Sequence, residues 1–327
     1  MILVTGGAGY IGSHTVKLLL ENGWDVLVYD SMELGHAEAV VGGVVVQGDL
    51  LDWDRLNEVF GDFHIDAVIH FAAYASVGDS VADPGKYFNN NIRGGLNLVN
   101  AMRAHGVDKI IFSSSAATYG EPLHIPIEES HPQNPTNPYG ETKLMFERIL
   151  KWYDVAYGIR SVSLRYFNAA GADPEGRIGE DHNPEQHLIP IALQTALGRR
   201  ECVKVFGADW DTPDGTCIRD YIHVTDLADA HLLALRALEK GARTTAYNLG
   251  NGDGQSVKQV IEAAEQVVGR KIPWVAAPRR PGDPARLVAS SDKLKKELGW
   301  KPRYPELHTI IEHAWRWHST HPNGYGK

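Results

Sequence analysis

Tyr139 and Lys143 stand four residues apart at the start of a stretch whose apolar residues recur at helical spacing, with Pro138 at the first-turn position that proline favours. Residues four apart share a helix face, so a phenol and an ammonium project together. Upstream, Ser113-Ser114-Ser115 ends the apolar run Ile110 to Phe112 and adds hydroxyls at its carboxyl end. Beside a hydride carrier, these three groups can oxidise an alcohol without a metal. The obstacle is the phenol, whose ordinary pKa of about 10 is too high for a base at neutral pH. One ammonium about 6 Å away, at an effective dielectric of about 20, favours the phenolate by roughly 2.8 kcal/mol, or about two pKa units. A Tyr and Lys pair on a helix is ordinary by itself. Its meaning depends on what else the chain supplies.

The sequence also offers a place for the hydride carrier. Thr5-Gly6-Gly7-Ala8-Gly9-Tyr10-Ile11-Gly12 follows the apolar run Ile2 to Val4 and opens a helical pattern over 11–21. Glycines at 6, 9 and 12 let backbone approach a pyrophosphate, and a helix start presents unpaired N–H groups and a positive dipole end. Asp30 closes the next apolar run, Val26 to Tyr29, where a carboxylate meets the adenosine ribose hydroxyls and repels a 2′-phosphate. Together these predict bound NAD rather than NADP. No metal is expected. None of the 15 histidines lies in a His-Glu-x-x-His helix, and His182 with His187, like His313 with His318, reads as polar or packing.

The elements that must position these residues follow from alternation. Short apolar runs at 2–4, 26–29, 44–46, 67–71, 110–112 and 162–164 read as strands, and the stretches 11–21, 53–60, 91–105 and 139–157 read as helices. Strand, helix, strand repeated this often gives an α/β class, a doubly wound parallel Rossmann sheet with ligands along its carboxyl edge. Beyond Asn168 the pattern loosens, with helices expected at 188–198, 224–239 and 256–268. The expected division is residues 1–168 as the dinucleotide domain, a segment near 217–240 returning to it, and 169–327 as a smaller α/β substrate domain.

Composition excludes other classes. The 327 residues carry 32 basic and 41 acidic side chains, a net charge of −9, without a basic stripe, which argues against nucleic acid or an anionic membrane as partner. The two cysteines, Cys202 and Cys217, suit a reducing compartment. No apolar stretch approaches membrane-spanning length and no basic leader precedes Ile2, so the cytoplasm is the expected location.

Through Thr5 to Gly12, Ser113 to Gly120, Pro138 to Lys143, Arg165 to Asn168, Arg219 to Val224, Tyr247 to Gly250 and Pro278 to Asp283, the chain resembles the nucleotide-sugar epimerase branch of the extended short-chain dehydrogenase/reductase superfamily. The resemblance implies reversible epimerisation at C4 of a UDP-hexose, interconverting UDP-glucose and UDP-galactose through a 4-keto sugar, with tightly held NAD. It implies Tyr139 as the base, Ser115 on the 4-oxygen, and Lys143 on the nicotinamide ribose. Further cofactor contacts implied are Tyr10, Ile11, Asp49, Leu50, Phe71 and Ala72, with Ala73, Asn90 and Phe167. On the substrate side it implies Asn168, His187, Leu188, Val205 and Phe206, with Arg219, Arg280 and Asp283 towards the diphosphate and uridine. It also implies a homodimer through the helices 91–105 and 139–157. The chain departs from the family at Ala75, where many members carry lysine, at Ala117 within the run after Ser115, and at Leu287, where some members close the hexose pocket with tyrosine. A 4,6-dehydratase is disfavoured because Ala116-Ala117 stand where that branch has an acidic pair. A decarboxylase is disfavoured because no additional basic residue can be assigned to a uronate carboxylate. A dinucleotide-binding sensor without chemistry has no need of Ser115, Tyr139 and Lys143 together.

Overall fold

In the computed structural model, which describes residues 1–280 and 283–326, β1 (Ile2–Thr5) passes through the glycine loop into α1 (Tyr10–Glu21). Then come β2 (Val26–Asp30), β3 (Val44–Gln47), α2 (Trp53–Asp62), β4 (Ala67–His70), the short α3 (Val77–Ala82) and α4 (Pro84–Tyr87), α5 (Gly94–Ala104), β5 (Lys109–Ser115), α6 (Pro138–Tyr157) and β6 (Arg160–Tyr166). The six strands lie parallel in the order β3, β2, β1, β4, β5, β6. Their central members are buried on both faces, which is why they read as unbroken Val, Ile and Leu runs rather than as alternating ones. Strand order reverses between β1 and β4, so a crevice opens beyond their carboxyl ends.

The second half supplies β7 (Asn168–Ala170), α7 (Leu188–Ala196), β8 (Val203–Phe206), β9 (Ile218–Arg219), β10 (Tyr221–His223), α8 (Val224–Glu239) and β11 (Thr245–Leu249). It ends with β12 (Gln255–Ser256), α9 (Val257–Val268), β13 (Trp274–Ala277), β14 (Arg286–Leu287), α10 (Asp292–Leu298) and α11 (Leu307–Thr320). β11 extends the large sheet beside β6 as a seventh parallel strand, with Tyr247 opposite Leu164. One face of the sheet packs Val4, Val16 and Val28 against Leu227 and Leu235, so α1 and α8 lie over it. The other packs Leu3, Leu56, Leu98 and Phe146 under α2, α5 and α6. A separate core built on Leu193, Val205, Val260 and Ile310 joins α7, α9 and α11 to β8.

Two elements differ from the sequence expectation in ways that reach the site. The helix expected over 91–105 begins at Gly94, and Phe88–Arg93 before it wind a π-helical turn. A side chain at Gly95 would strike the Phe146 ring at 2.5 Å, so glycine lets α5 lie close against α6 there. The three serines expected after a short strand lie inside β5, which continues in register with β6 until Ser115 faces Tyr166.

Candidate active site

The glycine loop closes at β1, where Gly6 adopts a left-handed φ of 73°. A Cβ there would lie 2.5 Å from the Ala72 nitrogen, and one at Gly12 would lie 2.1 Å from the Gly6 oxygen. Neither position admits a side chain. Gly9 begins α1 with no side-chain cap and no acidic residue in the first turn, which leaves the helix start fit for an anion. Asp30 is buried at the end of β2, and its carboxylate accepts N–H groups from Ala8 at 3.0 Å and Met32 at 2.9 Å. The loop and the carboxylate are thus tied into one unit. Phe71 and Ala72 follow β4 and donate their N–H groups to the Thr5 carbonyl, with Ala73 next in the chain. Asp49 follows β3 and takes the Tyr29 hydroxyl on its carbonyl. Asn90 lies in the π-helical turn and donates to Asn91, which in turn reaches Thr142 on α6. This cradle fits NAD.

Ser115 ends β5 and accepts the Ala117 N–H on its own oxygen at 3.1 Å, which leaves its hydroxyl to donate towards Tyr139. Asn137 caps α6 by accepting the Gly140 N–H at 2.8 Å, and a side chain at Gly140 would meet the Ala117 carbonyl at 2.4 Å. The helix start therefore docks directly on the turn that follows Ser115. Lys143 is buried, donates to the Ser113 carbonyl at 2.8 Å and holds its nitrogen 5.7 Å from the Tyr139 ring centre.

The electrostatics correct the sequence arithmetic. Burial is the largest influence on the Tyr139 phenol and raises its pKa, with the Ser115 hydroxyl acting in the opposite direction. Burial likewise lowers Lys143 to about 7, against the pull of the Glu147 carboxylate. Lys143 stands near the expected distance but does not by itself lower the phenol, because desolvation disfavours the charged form of both groups. Glu147 is pinned from the other side by Arg165 at 2.6 Å, whose guanidinium also donates to the Tyr119 hydroxyl. This buried network was invisible in the sequence, since its members are far apart in the chain.

On the substrate side, Asn168 donates both its N–H and its side-chain amide to the Asp220 carbonyl at 3.0 Å. Arg219 reaches Asp283 at 3.7 Å, and Arg280 stacks on Phe206 at 3.9 Å. The stretch 278–283 includes Pro281 and Gly282, which lie outside the described residues. Leu287 packs against the cluster of Ala116, Phe167 and Ala289, next to the Ser115 turn. His187 precedes α7 and Leu188 begins it. The side chains of Leu50 and Val205 pack into hydrophobic cores, which leaves their backbone as the part to face a ligand. Ala75 is exposed and offers no group that could reach a phosphate. His313 packs with His223 at 3.0 Å, whereas His182 and His187 gather with two glutamates. The segment after β7 crosses the glycine loop, with the Tyr10 hydroxyl donating to the Gly171 carbonyl at 2.7 Å.

Comparison with known proteins agrees with this geometry. Residues 2–250 match the NAD dependent epimerase/dehydratase family. The chain is 59% identical over 324 residues to a UDP-glucose 4-epimerase of Halalkalibacterium halodurans, covering 99% of this chain and 97% of that protein. It is similar to a UDP-glucose 4-epimerase from Brucella ovis solved in complex with NAD, at 50% identity and a TM-score of 0.94 over 96% of this chain and 97% of that one. A UDP-glucose 4-epimerase from Bifidobacterium longum solved with NAD+ and UDP is 41% identical, with a TM-score of 0.94 over 99% of each chain. No helix among the described residues is long and apolar enough to cross a membrane.

Proposed function

Because the chain belongs to the NAD dependent epimerase/dehydratase family, we propose that it interconverts UDP-glucose and UDP-galactose by inverting C4 with a tightly held NAD. The observation that carries this reading is the convergence of Ser115, Tyr139 and Lys143 on one buried corner between β5 and α6.

Gly6, Gly9 and Gly12, with the first-turn amides of Tyr10 and Ile11, hold the pyrophosphate, Asp30 holds the adenosine ribose, and Lys143 holds the nicotinamide ribose. When bound, NAD supplies the acceptor and donor of a hydride at the sugar C4, and its positive ring favours the phenolate. Tyr139 takes the proton of the 4-hydroxyl while Ser115 holds that oxygen and relays the proton. Lys143 in its charged form steadies the phenolate. The 4-keto sugar then turns over in the pocket, and Tyr139 returns the proton to the oxygen of the opposite epimer. Arg219 and Arg280 each offer a planar fork of donors to the diphosphate. Asn168, His187, Leu188, Phe206 and Asp283 line the uridine side, with Val205 contributing backbone. Apart from Asn168 at the boundary, the uridine side thus falls within 169–327 and the cofactor side within 1–168. Leu287 is smaller than the tyrosine some members carry there, which favours admission of acetylated UDP-hexoses to the same site. Free Cys202 and Cys217 suit a cytoplasmic enzyme.

The test is turnover without an external oxidant. Purified protein given UDP-galactose labelled at C4 should form UDP-glucose with the label retained, and UDP-N-acetylgalactosamine should be converted alongside it. Loss of the label to solvent, or a stoichiometric demand for added oxidant, overturns the reading.

A further inference from the structure

Four metal-ligating side chains meet in the segment that crosses the glycine loop. Glu180, His182, Glu185 and His187 each place one ligand atom within 4.8 Å of the others. His187 Nδ1 lies 2.8 Å from Glu180 Oε1 and 3.0 Å from Glu185 Oε1. His182 Nδ1 lies 3.1 Å from Glu180 Oε1 and 3.8 Å from Glu185 Oε2. The Glu180 and Glu185 side chains are 3% and 2% exposed.

A second observation is independent of that clustering. Glu185 Oε1 is already engaged by the N–H groups of Gln186 and His187, both at 2.8 Å. Its other oxygen, Oε2, is buried with no hydrogen-bond partner and lies on the His182 side of the cluster. A buried carboxylate oxygen without a donor is costly, and a cation would satisfy it.

The dimensions suit zinc. Tetrahedral zinc with bonds of about 2.0–2.2 Å keeps its ligand atoms roughly 3.3–3.6 Å apart, and the separations here fall on either side of that range. Two imidazole nitrogens with two carboxylates suit a borderline-soft ion, whereas magnesium and calcium call for oxygen ligands. Two carboxylates also balance a divalent charge. The amides on Glu185 supply the outer hydrogen bonds that fix a ligating carboxylate. The half-exposed His182 and His187 give the ion a way in.

We propose that Glu180, His182, Glu185 and His187 form a structural zinc site that fastens the 171–187 segment across the glycine loop. The fastening point is Tyr10, whose ring meets His182 edge-on at 6.2 Å while its hydroxyl holds Gly171. A closed set of four protein ligands leaves no open position for chemistry. This departs from the reading of His182 and His187 as packing residues, and it does not rest on the reaction proposed above.

Co(II) is the probe, because its visible bands are intense only in four-coordinate sites. Full-length protein stripped with a chelator and titrated with Co(II) should take up one ion per chain with intense visible absorption, which one equivalent of zinc abolishes. Zinc should also raise the melting temperature of the stripped protein. His182→Gln and the near-isosteric Glu185→Gln should each weaken Co(II) binding at least about 100-fold and remove the zinc-dependent rise. Absence of the band in the unsubstituted chain, or undiminished binding in either variant, overturns the proposal and leaves a hydrogen-bonded ion quartet. Should both variants fail to fold, the anomalous zinc signal in crystals of the unsubstituted protein decides, since an ion elsewhere, or none, overturns it equally.

Discussion

A base that must shed a proton is poorly served by burial, and desolvation opposes the charged forms of both Tyr139 and Lys143. Their charged forms depend on each other and on the positive ring of bound NAD. Removing the phenol oxygen by Tyr139→Phe should therefore lower kcat by about 10²–10⁴-fold, the range for a general base, while the co-purified NAD content stays unchanged. Near-normal turnover would overturn the assignment. Lys143→Met removes an ammonium 5.7 Å from the ring centre, so the phenol must titrate without it. The pH at which activity appears should then rise, by less than the roughly two units a fully charged ammonium would give, because burial lowers Lys143 to about 7. An unmoved pH–rate profile would mean that Lys143 only positions the cofactor. The spacing in the sequence puts these residues on one helix face, as the fold has them, but it misjudges their charge. The estimate placed a free ammonium beside the phenol, and only the fold reveals that the ammonium is desolvated too.

At the scale of elements, the site depends on strands whose carboxyl ends stay level. One tie between them is a buried hydrogen bond from β1 to β4, where Thr5 Oγ1 meets His70 Nδ1 at 2.7 Å. Burial holds His70 neutral and lowers its pKa from 6.5 to about 3, with the Lys143 charge adding to the effect. The sign follows from linkage. Between those values the unfolded chain binds a proton that the folded chain does not, so acidification below pH 6.5 drains stability through this residue. His70→Gln keeps a hydrogen-bonding group but does not titrate. Its destabilisation, read by chemical denaturation, should be largest at pH 7 and shrink by about 1.4 kcal/mol per pH unit between pH 6 and 4. A penalty independent of pH would refute the neutral buried imidazole. The inner strands β1, β2 and β4 were legible because burial on both faces leaves uninterrupted aliphatic runs, whereas the exposed edge strand β3 was legible from its three valines alone. β11 was not, since its Tyr247 and Asn248 are polar and are satisfied by the distant Glu297, Ile127, Glu129 and Tyr119. The π-helical turn at Phe88–Arg93 was equally hidden, because nothing in its local pattern distinguishes it from the start of α5. In the sequence His182 and His187 read as polar or packing for a different reason: they do not stand at helical ligand spacing, and only the folded loop turns them together with Glu180 and Glu185.

For the molecule as a whole, the open question is what covers the outer face of α5 and α6. Trp152 and Val155 are 69% and 71% exposed, three residues apart on one side of α6, and Tyr157 follows them. Arg103 of α5 lies 4.2 Å over the Tyr157 ring, and Tyr153 bonds to Asn100, so the two helices present one continuous surface. Beside it lies a depression of about 630 Å³ lined by Trp53, Asn97, Asn100, Arg103 and Ala104. Large apolar residues left in water together on one helix face mark a surface that meets a partner. A two-fold axis along these helices would bring both copies of Trp152 into the interface, each with roughly 100–170 Å² of newly covered apolar surface. At about 25 cal/mol per Å² that contributes roughly 2.5–4 kcal/mol per tryptophan towards the contact, before the cost of association. Light scattering should accordingly give twice the chain mass of 36.0 kDa for the unsubstituted protein. Trp152→Glu combined with Val155→Glu puts four carboxylates into that contact, and the mass should fall to that of a single chain while bound NAD is retained, because neither residue approaches the crevice between β1 and β4. A single-chain mass before substitution, or a dimer that survives it, would show that this face serves another purpose.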